Sequence, residues 1–165
     1  MKLSEHFTLT ELTRSQVAAR LGIDNTPTSD VVEQLKLMCE LVLEPIRTAI
    51  GRPIVVTSGY RSRELNRRIG GAQLSDHIKG TAADIECPGV PNWELAKAIA
   101  ASEIGFWQLI LEHSDYVTPE SGWVHVSMNT GGFHRQLLRA EREPGKTVYR
   151  SGLLPTREAF AACRK

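Results

Sequence analysis

The sequence predicts an α+β fold built on a small, mostly antiparallel sheet flanked by helices. Helix-spaced apolar residues dominate the first fifty positions, short β-branched runs alternate with helical segments through the middle, and strand-like segments prevail after Trp107. At 165 residues the chain has the size of one ordinary domain, spanning 1–165. A chain of that length buries about two-thirds of its unfolded surface without disulfide staples.

The elements follow in order. Thr8 and Glu11 fit a capping box that opens a short helix through Leu12, with room to run to Leu21 before Gly22, Asn25 and Pro27. Ser29 or Asp30 can cap a longer helix whose apolar face holds Val32, Leu35, Cys39, Val42, Leu43 and Ile46, with Gly51 as its stop. Pro45 within it predicts a kink or an early break, because proline lacks the amide donor and crowds the preceding turn.

Residues 54–57 are β-branched and read as a buried strand. A helix over about 63–69 ends at Gly70 and Gly71, and residues 82–86 form the next strand, closed by Pro88 and Pro91. Asn92 can cap a helix carrying Trp93, Leu95, Ala96, Ile99 and Ala100, which Gly105 ends. Residues 107–112 and 123–127 fit an antiparallel pair across a polar loop, and 136–140 reads as a further strand. The fold core spans about 5–140, and from Glu141 onward the sequence reads as a polar tail with Pro144 and Pro155.

Charge excludes some functions. Twenty lysines and arginines against nineteen acids give no overall field for nucleic acid or anionic lipid. Arg61, Arg63, Arg67 and Arg68 still cluster, and the last three read equally well as a solvated helix face or a local basic patch. Cys39, Cys87 and Cys163 are odd in number and far apart, which fits three free thiols in a reducing compartment. The N-terminus, with Glu5, His6 and Glu11, lacks the pattern of a signal peptide, and no run is long and apolar enough to span a bilayer. The expectation is a monomer, cytoplasmic as synthesised, without membrane insertion and without a nucleic-acid partner.

Chemistry concentrates in two stretches. His77 and Asp84 lie seven positions apart, joined through Gly80 into the apolar start of a strand. Trp123, Val124, His125, Val126 and Ser127 alternate as a strand does, placing His125 on one face with Trp123 and Ser127. Two histidines and one carboxylate make three ligands. A catalytic zinc typically keeps three protein ligands and one open position, whereas structural zinc is closed by four, often cysteines. The pattern therefore points to a metallohydrolase with one Zn2+ held by His77, Asp84 and His125.

These residues also carry a resemblance. Ser75, His77, Gly80, Ala82 and Asp84, preceded by Ser58, Gly59, Tyr60 and Arg61 and followed by Trp123, Val124 and His125, are similar to the zinc D-Ala-D-Ala peptidase family, peptidase family M15. The phrase Phe7, Thr8, Leu9, Glu11, Leu12, with Ser15, Gly22, Asn25, Pro27, Leu43, Pro45 and Arg47, resembles its phage and prophage branch, including endolysins. The resemblance implies the hedgehog/D-Ala-D-Ala peptidase fold and hydrolysis of a peptide bond in the peptidoglycan stem peptide. D-Ala-D-Ala carboxypeptidase and L-alanyl-D-glutamate-type endopeptidase both remain open.

Carried over residue by residue, the resemblance makes His77, Asp84 and His125 the zinc ligands and Arg61 the donor to the scissile carbonyl. Ser75 is a substrate contact, with Ser58 and Gln108 as weaker ones. Many family members place an acid three residues before the last histidine, where this chain has Gly122. Glu112, at a strand end that a hairpin could set opposite His125, is the expected general base, with Glu120 and Asp115 as reserves. His6, His113 and His134 are expected at the surface. The rival reading is a non-catalytic, zinc-stabilised cell-wall recognition or phage structural module, to which Gly122 gives weight.

Overall fold

The computed structural model describes residues 1–129 and 131–153. Helices α1 (Leu9–Thr13), α2 (Gln16–Leu21), α3 (Ser29–Met38) and α4 (Glu44–Ile50) come first, followed by strand β1 (Val55–Ser58). Helix α5 (Arg63–Arg68), the single turn α6 (Asp76–Lys79), β2 (Ala82–Glu86) and α7 (Asn92–Ala101) occupy the middle. Strands β3 (Gln108–Glu112), β4 (Trp123–Ser127), β5 (Gln136–Glu143) and β6 (Lys146–Ser151) complete the described chain.

The capping box forms as the sequence predicts: Thr8 accepts from the Glu11 amide and the Glu11 side chain accepts from the Thr8 amide. The helix stops at Thr13, and Ser15 caps a separate α2 by accepting from the Ala18 amide. Thr28, not Ser29 or Asp30, precedes the long helix, and it makes no side-chain cap. Before Pro45 the helix widens into one π-helical turn, Cys39–Leu43, and Pro45 then sits in the first turn of α4. The wider turn accommodates the ring and the missing donor without breaking the rod, since proline is tolerated at a helix start.

Six strands form one mixed sheet in the order β1-β2-β4-β3-β5-β6. Four of its pairings are antiparallel, and β3 with β5 is parallel. One face packs on the helices through Leu35, Met38, Val42, Ile46, Leu95, Ile99, Ile85, Leu109, Leu111 and Val126, all buried. The opposite face carries Asp84, His125 and Ile110 in one row, because Asp84 pairs with His125 and His125 with Ile110.

The expected polar tail needs correction. Strand β5 continues to Glu143, and β6 returns antiparallel to it with Glu143 opposite Lys146. Alternating charge hid this hairpin, because its outer face is an ion ladder rather than apolar. Pro155 and Cys163 lie outside the described residues. Cys39 and Cys87 are buried free thiols, and burial, reinforced by Glu44, pushes Cys39 up to about 12.

Candidate active site

His77, Asp84 and His125 converge although they come from three separate elements. His77 rides on the single turn α6, which Gly80 ends at φ 74° in the left-handed region. Its Nδ1 lies 2.6 Å from the Gly59 carbonyl oxygen, so this nitrogen donates and Nε2 is left to face the other two residues. Gly59 is itself held by α1: a Cβ there would stand 2.3 Å from the Leu12 carbonyl oxygen, which accepts from the Tyr60 amide. The N-terminal segment thus positions His77.

The donor atoms are close. His77 Nε2 lies 3.2 Å from His125 Nδ1 and 3.2 Å from Asp84 Oδ1, and His125 Nδ1 lies 2.9 Å from Asp84 Oδ1. A tetrahedral zinc with bonds of about 2.0–2.1 Å has donor–donor edges of about 3.3–3.4 Å, so the three atoms fit one face of such a polyhedron. All three side chains are buried, and three electron-rich atoms this close need a cation or a shared proton among them. The donor set of two imidazoles and one carboxylate suits zinc.

Electrostatics agrees with ligation at His77 and Asp84. Burial holds His77 below its ordinary value against the pull of Asp84, which keeps the ring neutral as a ligand must be. Burial alone would raise Asp84, but His77 and His125 hold its carboxyl far below the usual carboxylate range. Burial disfavours charge on His125, yet its hydrogen bond to Asp84 raises it overall, so a proton competes with a metal there.

Arg61 lies in this cluster. Its Nη2 donates to Asp84 Oδ2 at 2.6 Å and its Nε to Ser58 Oγ at 2.9 Å. Arg61 therefore holds the carboxylate oxygen that does not face the histidines, a contact absent from its expected role. Asn25 braces the same segment, donating to the Thr13 and Tyr60 carbonyls and accepting from the Ser62 amide. No charge or metal-ligand pattern marks Asn25 as part of the site. Its only sequence signal is its place in the N-terminal phrase.

A cavity of about 660 Å³ opens above the cluster. Glu112 lines it, 15% exposed, as do Ser75, Gln108, Trp123, Leu138 and Tyr149. The β3–β4 register puts Glu112 opposite Trp123 and Ile110 opposite His125, so Glu112 is diagonal to His125 rather than directly across from it. Residues two apart share a face, which keeps Glu112 on the side of His125. Burial pushes its carboxyl above the ordinary value, with Asp84 adding to the rise and His125 and Arg61 opposing it.

The reserve acids lie elsewhere. Asp115 accepts from the Val117 and Thr118 amides and from the Thr118 and Ser121 hydroxyls, which commits it to its own turn. Glu120 lines a different cavity beside Cys87 and Pro119. Cys87 is buried and lines that cavity, not the one above His77, Asp84 and His125.

Ser75 precedes α6 without capping it. Gln108 donates to Gln136 across the parallel pair at 2.6 Å, and Ser58 is engaged by Arg61. His6 and His134 are exposed, as expected. His113 is not a surface residue: it is half-buried, lines the cavity, stacks edge-on to Trp123 at 5.2 Å and lies 4.0 Å from Glu112. Its φ of 56° turns the chain where the strand ends, bringing two successive side chains to one cavity.

No curated protein matches the chain. Residues 5–127 match the sequence model of the family described as Peptidase M15, a span that includes His77, Asp84, His125 and Glu112, and the chain belongs to that peptidase family.

Proposed function

We propose that the protein is a zinc metallopeptidase that hydrolyses a peptide bond of the peptidoglycan stem peptide. The convergence of His77 Nε2, Asp84 Oδ1 and His125 Nδ1 beneath a cleft walled by Glu112 carries this reading. A zinc ion held by these three supplies Lewis-acid activation of water and of the scissile carbonyl. Glu112 takes the proton of the attacking water and returns it to the leaving amine, a shuttle that a raised carboxyl pKa favours. Arg61 fixes the Asp84 carboxylate and offers its remaining guanidinium donors where carbonyl charge develops. Ser75 is the hydroxyl at the cavity with no cap bond to give up before it meets substrate.

The cleft would take either the terminal D-Ala-D-Ala bond, as a carboxypeptidase does, or an internal bond, as an endolysin-type endopeptidase does. A carboxypeptidase holds a terminal carboxylate, for which a cation is the natural partner. Among the described residues lining the cleft, Arg61 is the only lysine or arginine; it is engaged by Asp84, and Asp76 is paired with Lys79. An internal L-alanyl-D-glutamate bond likewise has a free glutamate carboxylate beside it, so the ends released tell the two activities apart. Release from an infected cell or delivery by a phage particle would bring the protein to its wall substrate.

Against the rival non-catalytic module, which rests on Gly122, stands the lack of room at that position: a Cβ there would lie 1.9 Å from the Glu112 carbonyl oxygen, and the Glu112 side chain lines the cleft instead. The test is mass spectrometry of purified peptidoglycan incubated with zinc-loaded protein, with and without a chelator. Cleavage that vanishes with the chelator is expected, and new internal amino ends would establish the endopeptidase. Free D-alanine would instead establish the carboxypeptidase, and no cleavage across several peptidoglycan types would overturn the peptidase reading.

A further inference from the structure

The β5–β6 hairpin lies beyond the family-matched residues 5–127 and reaches the cleft. Its register aligns Glu112 of β3, Ala140 of β5 and Tyr149 of β6 in one row. Paired residues in adjacent strands point to the same face, and two strand spacings of about 4.8 Å set the Tyr149 backbone roughly 10 Å from that of Glu112. Only the methyl group of Ala140 stands between them in that row.

The other face of the hairpin is locked. Glu141 accepts from Arg139 at 2.6 Å and from Arg150 at 2.8 Å, and Arg150 also donates to Glu143 at 2.7 Å. Tyr116 donates to the Leu153 carbonyl at 2.9 Å, tying the segment after β6 to the loop that follows β3. The Arg150 pairs are partly exposed and contribute little singly, the Arg139 side chain is more shielded, and as a network they fix the orientation of the strands. Tyr149 thus stands on a rigid element, lines the cavity, and still exposes 56% of its surface. Burial, and then the charges of Glu112 and Asp84, raise its phenol pKa, in keeping with a place beside the reacting groups. Across the cavity Leu74 is 83% exposed and Ile69 is 43% exposed. Apolar groups on both lips of a polar cleft suit an extended peptide whose side chains alternate between them.

We propose that Tyr149 is a substrate-positioning residue whose ring packs against a side chain of the peptide beside the bond being cut, opposite Leu74. This deepens the peptidase reading and rests on it. The ring acts as a face rather than through its hydroxyl, so Tyr149→Phe preserves the function and Tyr149→Ala removes it.

The experiment is calorimetric titration of zinc-loaded protein with a soluble stem pentapeptide, with kcat and KM measured on the same peptide. Tyr149→Phe is expected to keep Kd and KM within about twofold of wild type. Tyr149→Ala raises both by about tenfold with kcat nearly unchanged, the signature of binding lost equally from ground and transition states. Melting temperature and zinc content stay at wild-type values because the ring is largely exposed. A Tyr149→Ala variant that binds and turns over like wild type overturns the inference alone, as does a Tyr149→Phe variant as weak as Tyr149→Ala. A wild-type protein that neither binds nor cleaves the peptide overturns the peptidase reading and the inference with it.

Discussion

A Cβ on Gly122 would stand 1.9 Å from the carbonyl oxygen of Glu112 and 2.6 Å from the Ser114 amide nitrogen. The position three residues before His125 is thus pressed onto the backbone that bears the proposed base. Its φ of 69° is left-handed as well, and Asn92 holds its carbonyl at 2.9 Å. No acid fits there, so an acid at the end of the neighbouring strand is the alternative this backbone allows.

Gly122→Ala therefore damages both stability and activity. Left-handed strain and the clash together should cost roughly 2–4 kcal/mol. Thermal melting and turnover should fall together. A Gly122→Glu variant should be worse, not rescued, even alongside Glu112→Gln.

Arg61 tests the role of the Asp84 contact. If it orients the ligand carboxylate as well as the substrate carbonyl, Arg61→Gln should weaken zinc affinity by about 10–100-fold, as loss of a ligand-orienting partner does, and should lower kcat too. Competition against a zinc-binding dye reads the first effect. Zinc affinity equal to wild type would leave Arg61 with the substrate alone. Ser58→Ala removes the acceptor of Arg61 Nε, and its effect should follow in the same direction with about 1 kcal/mol of lost hydrogen bonding.

The raised pKa of Glu112 has consequences of opposite sign for activity and stability. Only the ionised carboxylate accepts a proton, so kcat/KM should fall as pH drops through a value above the ordinary 4.5. For folding, a carboxyl raised in the folded state contributes stability at pH below its unfolded pKa and loses it as pH rises through the folded value. The metal-free Glu112→Gln variant should therefore melt higher than metal-free wild type at neutral pH, and the difference should shrink in acid. Scanning calorimetry at several pH values checks this.

Zinc affinity should itself weaken on acidification, because His125, raised by its hydrogen bond to Asp84, takes a proton in place of the metal. Asp84→Asn removes both that effect and the carboxylate ligand, and should abolish tight zinc binding while leaving a folded protein of lower melting temperature.

Much of this candidate site is legible in the sequence because each of its three converging residues sits in a recognisable local pattern. His77 and Asp84 bracket Gly80, which must be left-handed, and His125 alternates in a strand. The capping box at Thr8 and the strand β4 are equally local. What escapes depends on partners far along the chain. The Arg61–Asp84 contact, the clamp at Asn25 and the inward turn of His113 arise from packing across 20 or more residues or from a single positive φ. The β5–β6 hairpin escapes for another reason: charges alternating on its outer face mimic a polar tail, since sequence polarity cannot separate a solvated strand face from a loop.

The most direct test pairs zinc analysis with turnover in wild type and Glu112→Gln. The arrangement of His77, Asp84, His125 and Glu112 predicts one zinc per chain in both proteins and cleavage of peptidoglycan by wild type alone. A zinc-loaded Glu112→Gln protein that cleaves as fast as wild type, or a wild type that binds no zinc, would contradict it.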